Sequence, residues 1–374
     1  MQPLPAPSNF SIDKLIKMCY ILSMKTLDNL HYSYRAIDGF PQPFKFVMSP
    51  REPGKTSMLW LDFYNAWKKD KRPHFYLVRQ VVEICDSLIT TIFDSIINVF
   101  TDDNIEPQYN KGSFKDGIVD IKINGEIFFR LVALSIKTQR IKKTVLNNAR
   151  GSIMDEYIVN PKFGEKYLQG EAEKIKEAYS TWRRGTDKDF TMYFLGNPYS
   201  LFNPLFVDWG VNIAELKKGK FTSGDIFVIH WAELNPELKK QLLEKNPLYK
   251  FDEDYSNYAI EGQAVNDIHI KTGDLPPNYR LKLAIRIDGH IIGIFQNQFY
   301  EDKEDRFYCK FIEDVSEKRT IFCFEFSELV DRTCLLSLED RLKFQKFKEA
   351  MRKRLVSFQN INCYYFIEEV YKNI

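Results

Sequence analysis

The chain lacks the patterns of a zinc protein or a disulfide scaffold. Its six cysteines (Cys19, Cys85, Cys309, Cys323, Cys334, Cys363) and five histidines are scattered, with no C-x-x-C pair. Zinc-site spacing is therefore absent, and reduced thiols of a cytosolic protein are expected. No apolar run is long enough to span a bilayer, so no membrane partner is expected. The opening M-Q-P-L-P-A-P-S lacks a basic-then-apolar leader. Internal repeats and low-complexity tracts are missing. Net charge is only +2, which leaves any nucleic-acid contact to local basic patches.

What is present is a long, aromatic chain. Its 374 residues allow two or three domains and a real core. Residues 9–31 have helical apolar spacing behind a capping serine, Ser11. F-K-F-V-M (44–48) reads as a strand, S-M-L-W-L-D-F-Y-N-A-W-K-K as a helix and H-F-Y-L-V-R as a second strand. That order opens a parallel α/β sheet. Residues 80–100 read as helical. Asn124-Gly125 marks a hairpin, M-D-E-Y follows a further strand, a helix spans roughly 165–183, and F-T-M-Y-F-L (190–195) is a strand ending in G-N-P. The pattern loosens from Val211 to Pro277, then resumes with a hairpin at Asp288-Gly289 and alternating strands and a charged helix. The expected organisation is an N-terminal α/β domain over 1–210, a connecting subdomain over 211–277 and a second α/β domain over 278–374.

The sharpest local signal is S-P-R-E-P-G-K-T (49–56), between the first strand and the first sheet helix. A phosphate-binding loop reads G-x-x-x-x-G-K-[ST]; its backbone N–H groups and the helix N-terminus hold phosphate oxygens. Here Ser49 takes the first glycine's place, which is tolerable if its φ stays negative. Pro50 and Pro53 have no N–H, so each removes a potential donor. Gly54, Lys55, Thr56 and Ser57 still supply N–H groups, and Lys55 adds a full charge. A weaker cradle is the expectation.

Such a loop needs a magnesium partner, and S-I-M-D-E-Y-I offers one. Asp155 would join Thr56 around Mg2+ and Glu156 would polarise the attacking water. Without the G-K-T, the same pair reads as solvated turn residues. Arg183 and Arg184 end a helix, where they either complement its dipole or supply an arginine finger to a neighbouring site. Asn197 follows a strand, at the edge where sites of parallel sheets open; it suits a γ-phosphate sensor or an ordinary turn. Lys162 and Lys166, in V-N-P-K-F-G-E-K, are the first candidates for DNA phosphates, with Lys217, Lys218 and Lys220 second; both sets also read as solvated loop.

Taken in order, these pieces resemble the DNA-packaging ATPases of phi29-like phages, compact relatives of large terminase subunits. Arg51 stands where terminase-type loops carry an arginine. I-N-G-E-I-F-F-R-L-V-A-L-S resembles the family's hairpin, S-I-M-D-E-Y-I its Walker B strand, T-W-R-R its finger segment, L-G-N-P-Y-S-L-F-N-P-L-F its strand end, and L-K-L-A-I-R-I-D-G-H-I-I-G-I-F the first hairpin of its C-terminal domain. The similarity runs from about Phe44 to the C-terminus. It implies a P-loop NTPase of the ASCE type with a smaller RNase H-like α/β domain. It also implies a homopentameric ring that hydrolyses ATP with Mg2+, moves double-stranded viral DNA, and docks on the portal of a procapsid in the host cytoplasm. In relatives a packaging RNA can sit between motor and capsid. The implied roles are Lys55 on the β/γ-phosphates, Thr56 and Asp155 on the metal, Glu156 on the water, Arg183 in trans and Asn197 as sensor. Ser49, Arg51, Gly54 and Ser57 complete the nucleotide contacts. The strand L-K-L-A-I-R-I carries no acid, Asp288 lies in the hairpin turn and not on the strand, and Glu313 and Asp314 follow a later strand without evident partners, so a nuclease fold that cuts nothing is expected. Two other readings stay open: a solitary P-loop enzyme such as a small-substrate kinase, and a non-catalytic DNA-binding structural protein with a decayed loop.

Overall fold

The computed structural model describes residues 30–160, 165–186, 190–201, 203–262, 270–287, 289–299, 305–316, 319–324 and 326–373. The helix expected over 9–31 lies outside these, Leu30 and His31 excepted. The chain forms two compact units, 1–265 and 266–374.

The first unit is built on an eight-stranded sheet of order β3-β4-β2-β5-β6-β1-β8-β7. Its strands are β1 (Phe44–Met48), β2 (His74–Val78), β3 (Ile118–Ile123), β4 (Glu126–Ala133), β5 (Gly151–Asp155), β6 (Thr191–Gly196), β7 (Lys220–Ser223) and β8 (Phe227–Trp231). β4, β2, β5, β6, β1 and β8 run parallel. β3 and β7 close the two edges antiparallel. Every residue of β1 and β2 is buried, as expected of parallel strands covered on both faces. The Asn124-Gly125 hairpin joins β3 to β4, with φ of 52° and 83° at its two central residues, the left-handed pair that a tight hairpin turn requires.

Two helices frame the site. The first, here α1 (Lys55–Asp70), buries Leu59, Trp60, Phe63, Tyr64 and Trp67 along one stripe. It carries Lys68 and Lys69 in its last turn, where cations suit the dipole. The second, α2 (Glu171–Arg183), buries Ala172, Ile175, Ala178 and Trp182, and Trp182 stacks on Phe75 of β2 at 3.9 Å. The expected helix over 165–183 begins only at Glu171, after Gly170 at φ 62°. The helical stretch expected over 80–100 is broken into a short 3-10 turn, a helix over Asp86–Ile92 and a π turn over Phe93–Ile97.

The first sheet continues past the boundary expected at 210/211. β7 and β8 lie within the segment read as a connecting subdomain, yet β8 pairs with β1 over its whole length and extends the first sheet. The helices Pro236–Lys245, Leu248–Phe251 and Glu253–Ala259 also belong to the first unit. Their cluster of Leu234, Leu238, Tyr249, Ala259 and Ile260 packs Leu30 and Tyr199 against it.

The second unit starts at 266, not 278. Its seven-stranded sheet has the order β14-β13-β10-β11-β12-β15-β9, with β9 Lys271–Thr272, β10 Tyr279–Ile287, β11 His290–Asn297, β12 Phe307–Ile312, β13 Ile321–Cys323, β14 Thr333–Leu335 and β15 Val356–Phe358. β10, β11 and β12 form an antiparallel meander, and β13 adds parallel beside β10. Gly289 turns the β10–β11 hairpin at φ 75°; its expected partner Asp288 lies outside the described residues.

Candidate nucleotide site

Because the central strands are parallel, their C-terminal ends share one edge. The register aligns Met48 of β1 with Gly196 of β6, and Asp155 of β5 with Leu195. The loop after β1, the Asp155-Glu156 pair after β5 and Asn197 after β6 therefore converge, with β6 standing between β1 and β5.

Ser49 is buried and keeps a negative φ; its N–H donates to Gly196 O at 3.2 Å and its hydroxyl to Pro50 O at 3.0 Å. Glu52 (φ 75°) and Gly54 (φ 69°) turn the loop through the left-handed region. At Gly54 a Cβ would also stand 2.7 Å from the His31 ring, so glycine is required there. Pro50 and Pro53 bring no donors. The Arg51 N–H is committed to Ala259 O at 2.9 Å, while its guanidinium donates to the Tyr199 hydroxyl at 2.9 Å. Gly262 (φ 60°) backs the loop so closely that a Cβ there would meet Pro50 at 2.8 Å. The cradle thus rests on Gly54 and on Lys55, Thr56 and Ser57, whose N–H groups open α1 and have no intrahelical partner.

Lys55 is buried, and its Nζ donates to Asn197 Oδ1 at 2.7 Å. Burial pulls its pKa down, Asp155 and Glu156 oppose that, and Arg51 adds to it. The Tyr34 hydroxyl donates to Lys55 O at 2.7 Å. Asp155 accepts from the Glu156 N–H at 3.0 Å, and the Thr56 side chain is near enough to favour its charged form. Burial pushes its carboxyl up against the pull of Lys55 and Thr56. Two hard oxygen donors on facing elements suit Mg2+. Glu156 sits at φ 53°, a conformation costing on the order of 1–3 kcal/mol for a non-glycine residue. Its carboxyl is pushed up by desolvation first, then by Asp155 and Glu165, while Lys55 and Arg51 oppose.

Lys55, Thr56, Asp155, Glu156 and Asn197 are thus brought together as the sequence suggested. Arg183 is not among them. It ends α2, and the next turn lies at the opposite edge of the sheet, where Asn148 N donates to Gly185 O at 2.7 Å just before β5 begins. Its guanidinium lies 5.8 Å from the Tyr179 ring centre. Lys166 is exposed between β5 and α2, and Lys162 lies outside the described residues. In the second basic group, Lys218 is engaged with Glu261 O at 2.7 Å, while Lys217 and Lys220 are exposed.

Sequence reasoning missed Arg79, which follows β2 on the same edge. Its guanidinium holds Glu171 from Nε and Nη2 at 2.9 Å each and donates from Nη1 to Glu156 O at 3.2 Å and from Nη2 to Tyr157 O at 2.9 Å. The available signal was an arginine closing the apolar strand H-F-Y-L-V. Tyr34 and Tyr199, which brace the loop, carry no motif at all.

No protein-family model matches the sequence, and no curated protein matches it. Among solved structures, a chain of the bacteriophage Phi-29 viral genome packaging motor assembly aligns at a TM-score of 0.66 with 17% identity, over 92% of this chain and 99% of that one. The Phi-28 gp11 DNA packaging motor aligns at 0.58 with 16% identity, over 89% and 95%. The fold is that of the phage packaging motors. The packaging-motor fold thus spans both units, and the converging residues lie at the C-terminal edge of its larger sheet, where ligands of open α/β sheets bind.

Proposed function

We propose that this chain is an ATP-driven motor that moves double-stranded viral DNA into a procapsid. The observation that carries the reading is the convergence of Lys55, bonded to Asn197, with Asp155 and Glu156 at the C-terminal edge of the parallel sheet. Lys55 would take the β/γ-phosphates once released from Asn197. Thr56 and Asp155 would hold Mg2+, which when bound neutralises phosphate charge. Glu156 would accept a hydrogen bond from the attacking water and orient it. Desolvation and the neighbouring Asp155 push its carboxyl up.

Arg183 stands away from its own Lys55, which supports a role in trans. In a ring each site opens onto the next subunit through a heterologous interface, and a finger of this kind is worth about 10³–10⁵ in rate. We take the ring to be a pentamer that works in the host cytoplasm on the portal of the procapsid, with a packaging RNA as a further partner. Among the described residues no helix is long and apolar enough to cross a membrane. Lys166, with Lys162, would touch DNA phosphates without reading bases.

The β10–β12 meander with parallel β13 and β14 beside it supports an RNase H-like second unit. Arg286 of β10 pairs with Glu328 at 2.9 Å, and Asp314 pairs with Arg332. Carboxylates tied to arginines are poor metal ligands, so linear DNA incubated with Mg2+ or Mn2+ should stay intact.

The deciding experiment is ATP hydrolysis with and without double-stranded DNA, with Lys55→Ala as control. DNA-stimulated turnover that Lys55→Ala abolishes is expected. Turnover indifferent to DNA would favour the solitary P-loop enzyme, and no turnover together with no ATP-analogue binding would favour a structural protein.

A further inference from the structure

The Arg79 guanidinium is nearly buried, and Glu171 opposite it is buried too, with side-chain exposures of 11% and 3%. A pair so enclosed needs its remaining hydrogen bonds satisfied. Glu171 also accepts from Leu168 N at 2.8 Å. Arg79 spends its other donors on two successive carbonyls, those of Glu156 and Tyr157. The Tyr167 ring lies 5.3 Å from its guanidinium carbon.

Those carbonyls belong to the two successive peptides that follow Glu156, the residue held at φ 53°. A left-handed residue in an L-chain relaxes to negative φ unless its surroundings prevent it. Here Tyr157, wholly buried, is anchored by its N–H to Leu195 O at 3.1 Å. Arg79 fixes the carbonyls on either side of that N–H. Relaxation at Glu156 would rotate its Cα–Cβ bond and carry the carboxylate away from the phosphates.

We infer that Arg79 is a positioning residue for hydrolysis: through the Glu156 and Tyr157 carbonyls it holds the Glu156 side chain toward the nucleotide. Glu171 serves Arg79 by orienting the guanidinium fork. The inference rests on the reading of Glu156 as the water-orienting carboxylate. Arg79 spends its guanidinium on Glu171 and the two carbonyls, so its removal is expected to act on kcat and to leave KM for ATP nearly unchanged.

The test compares Arg79→Lys with Glu171→Gln in DNA-stimulated hydrolysis, with thermal melts confirming the fold. Lysine keeps the charge opposite Glu171 but has no planar fork to span two carbonyls. Misplacement on the ångström scale costs about 10²-fold in rate. Arg79→Lys is therefore expected to lower kcat by about 10–10²-fold with KM changed less than about threefold. Glu171→Gln keeps the carbonyl contacts and is expected to retain most of kcat. Should either variant melt early, Arg79→Met/Glu171→Met removes both buried charges together, a change a core tolerates, and is expected to lose kcat like Arg79→Lys. A cooperatively folded Arg79→Lys with wild-type kcat, or a Glu171→Gln as slow as Arg79→Lys, overturns the inference. Glu156→Gln run alongside separates the two failures. If it hydrolyses ATP normally, the reading of Glu156 itself falls; if it is inactive while Arg79→Lys is normal, only the role of Arg79 falls.

Discussion

Lys55 Nζ and Asn197 Oδ1, far apart in sequence, meet at 2.7 Å. The lysine meant for phosphates thus has an acceptor of its own, and nucleotide must take its place. A hydrogen bond to a charged group is worth about 1.5–3 kcal/mol, which counts against binding. Asn197→Ala is expected to tighten binding of a non-hydrolysable ATP analogue by about ten- to a hundredfold while slowing turnover. Isothermal titration and a steady-state assay read the two effects; looser binding would show that Asn197 assists the phosphates instead.

The placement of Arg183 away from its own site gives a mixing prediction. Arg183→Ala and Glu156→Gln subunits should each lose at least about 10³ in turnover. Mixed, they should regain part of it, since one supplies the carboxylate and the other the finger. Absence of rescue at every ratio would exclude a finger in trans.

His74 predicts how the first unit responds to acid. It is wholly buried, its ring stacks on Phe63 at 4.1 Å, and neither nitrogen has a hydrogen-bond partner. Burial, helped by Arg150, lowers its pKa from 6.5 to about 3. The folded form resists protonation that the unfolded chain accepts, so its contribution is complete above pH 6.5. It drains as pH falls toward 3, by up to about 1.4 kcal/mol per pH unit. His74→Phe should flatten the fall of the melting temperature across that window. An unchanged slope would mean that the histidine is charged, or paired, in the fold.

Lys166 should act on DNA and not on ATP. Lys166→Ala is expected to weaken double-stranded DNA binding about equally for all sequences and to reduce the salt slope by about one. Basal hydrolysis without DNA should be unchanged. A sequence-dependent loss would argue for base contact.

Much of the site was legible because its chemistry is local. G-K-T behind an apolar strand, D-E behind another and N-P behind a third each announce a strand end, and parallel strands bring their ends to one edge. What the sequence concealed is set by tertiary pairing. F-V-I-H-W is too short to be told from a loop strand, yet it lies along β1 over its whole length, and the first unit extends past it. Arg79 was invisible because its partners are two carbonyls and a glutamate from elsewhere in the chain. Nor could spacing reveal that the Arg51 N–H is bonded to Ala259 O.

That last bond has a mechanical consequence. The tip of the loop is stitched to Ala259 and packed on Gly262. The end of the helix Glu253–Ala259 is therefore a buttress for Pro50 and Arg51, and a displacement of that helix would be transmitted to the loop.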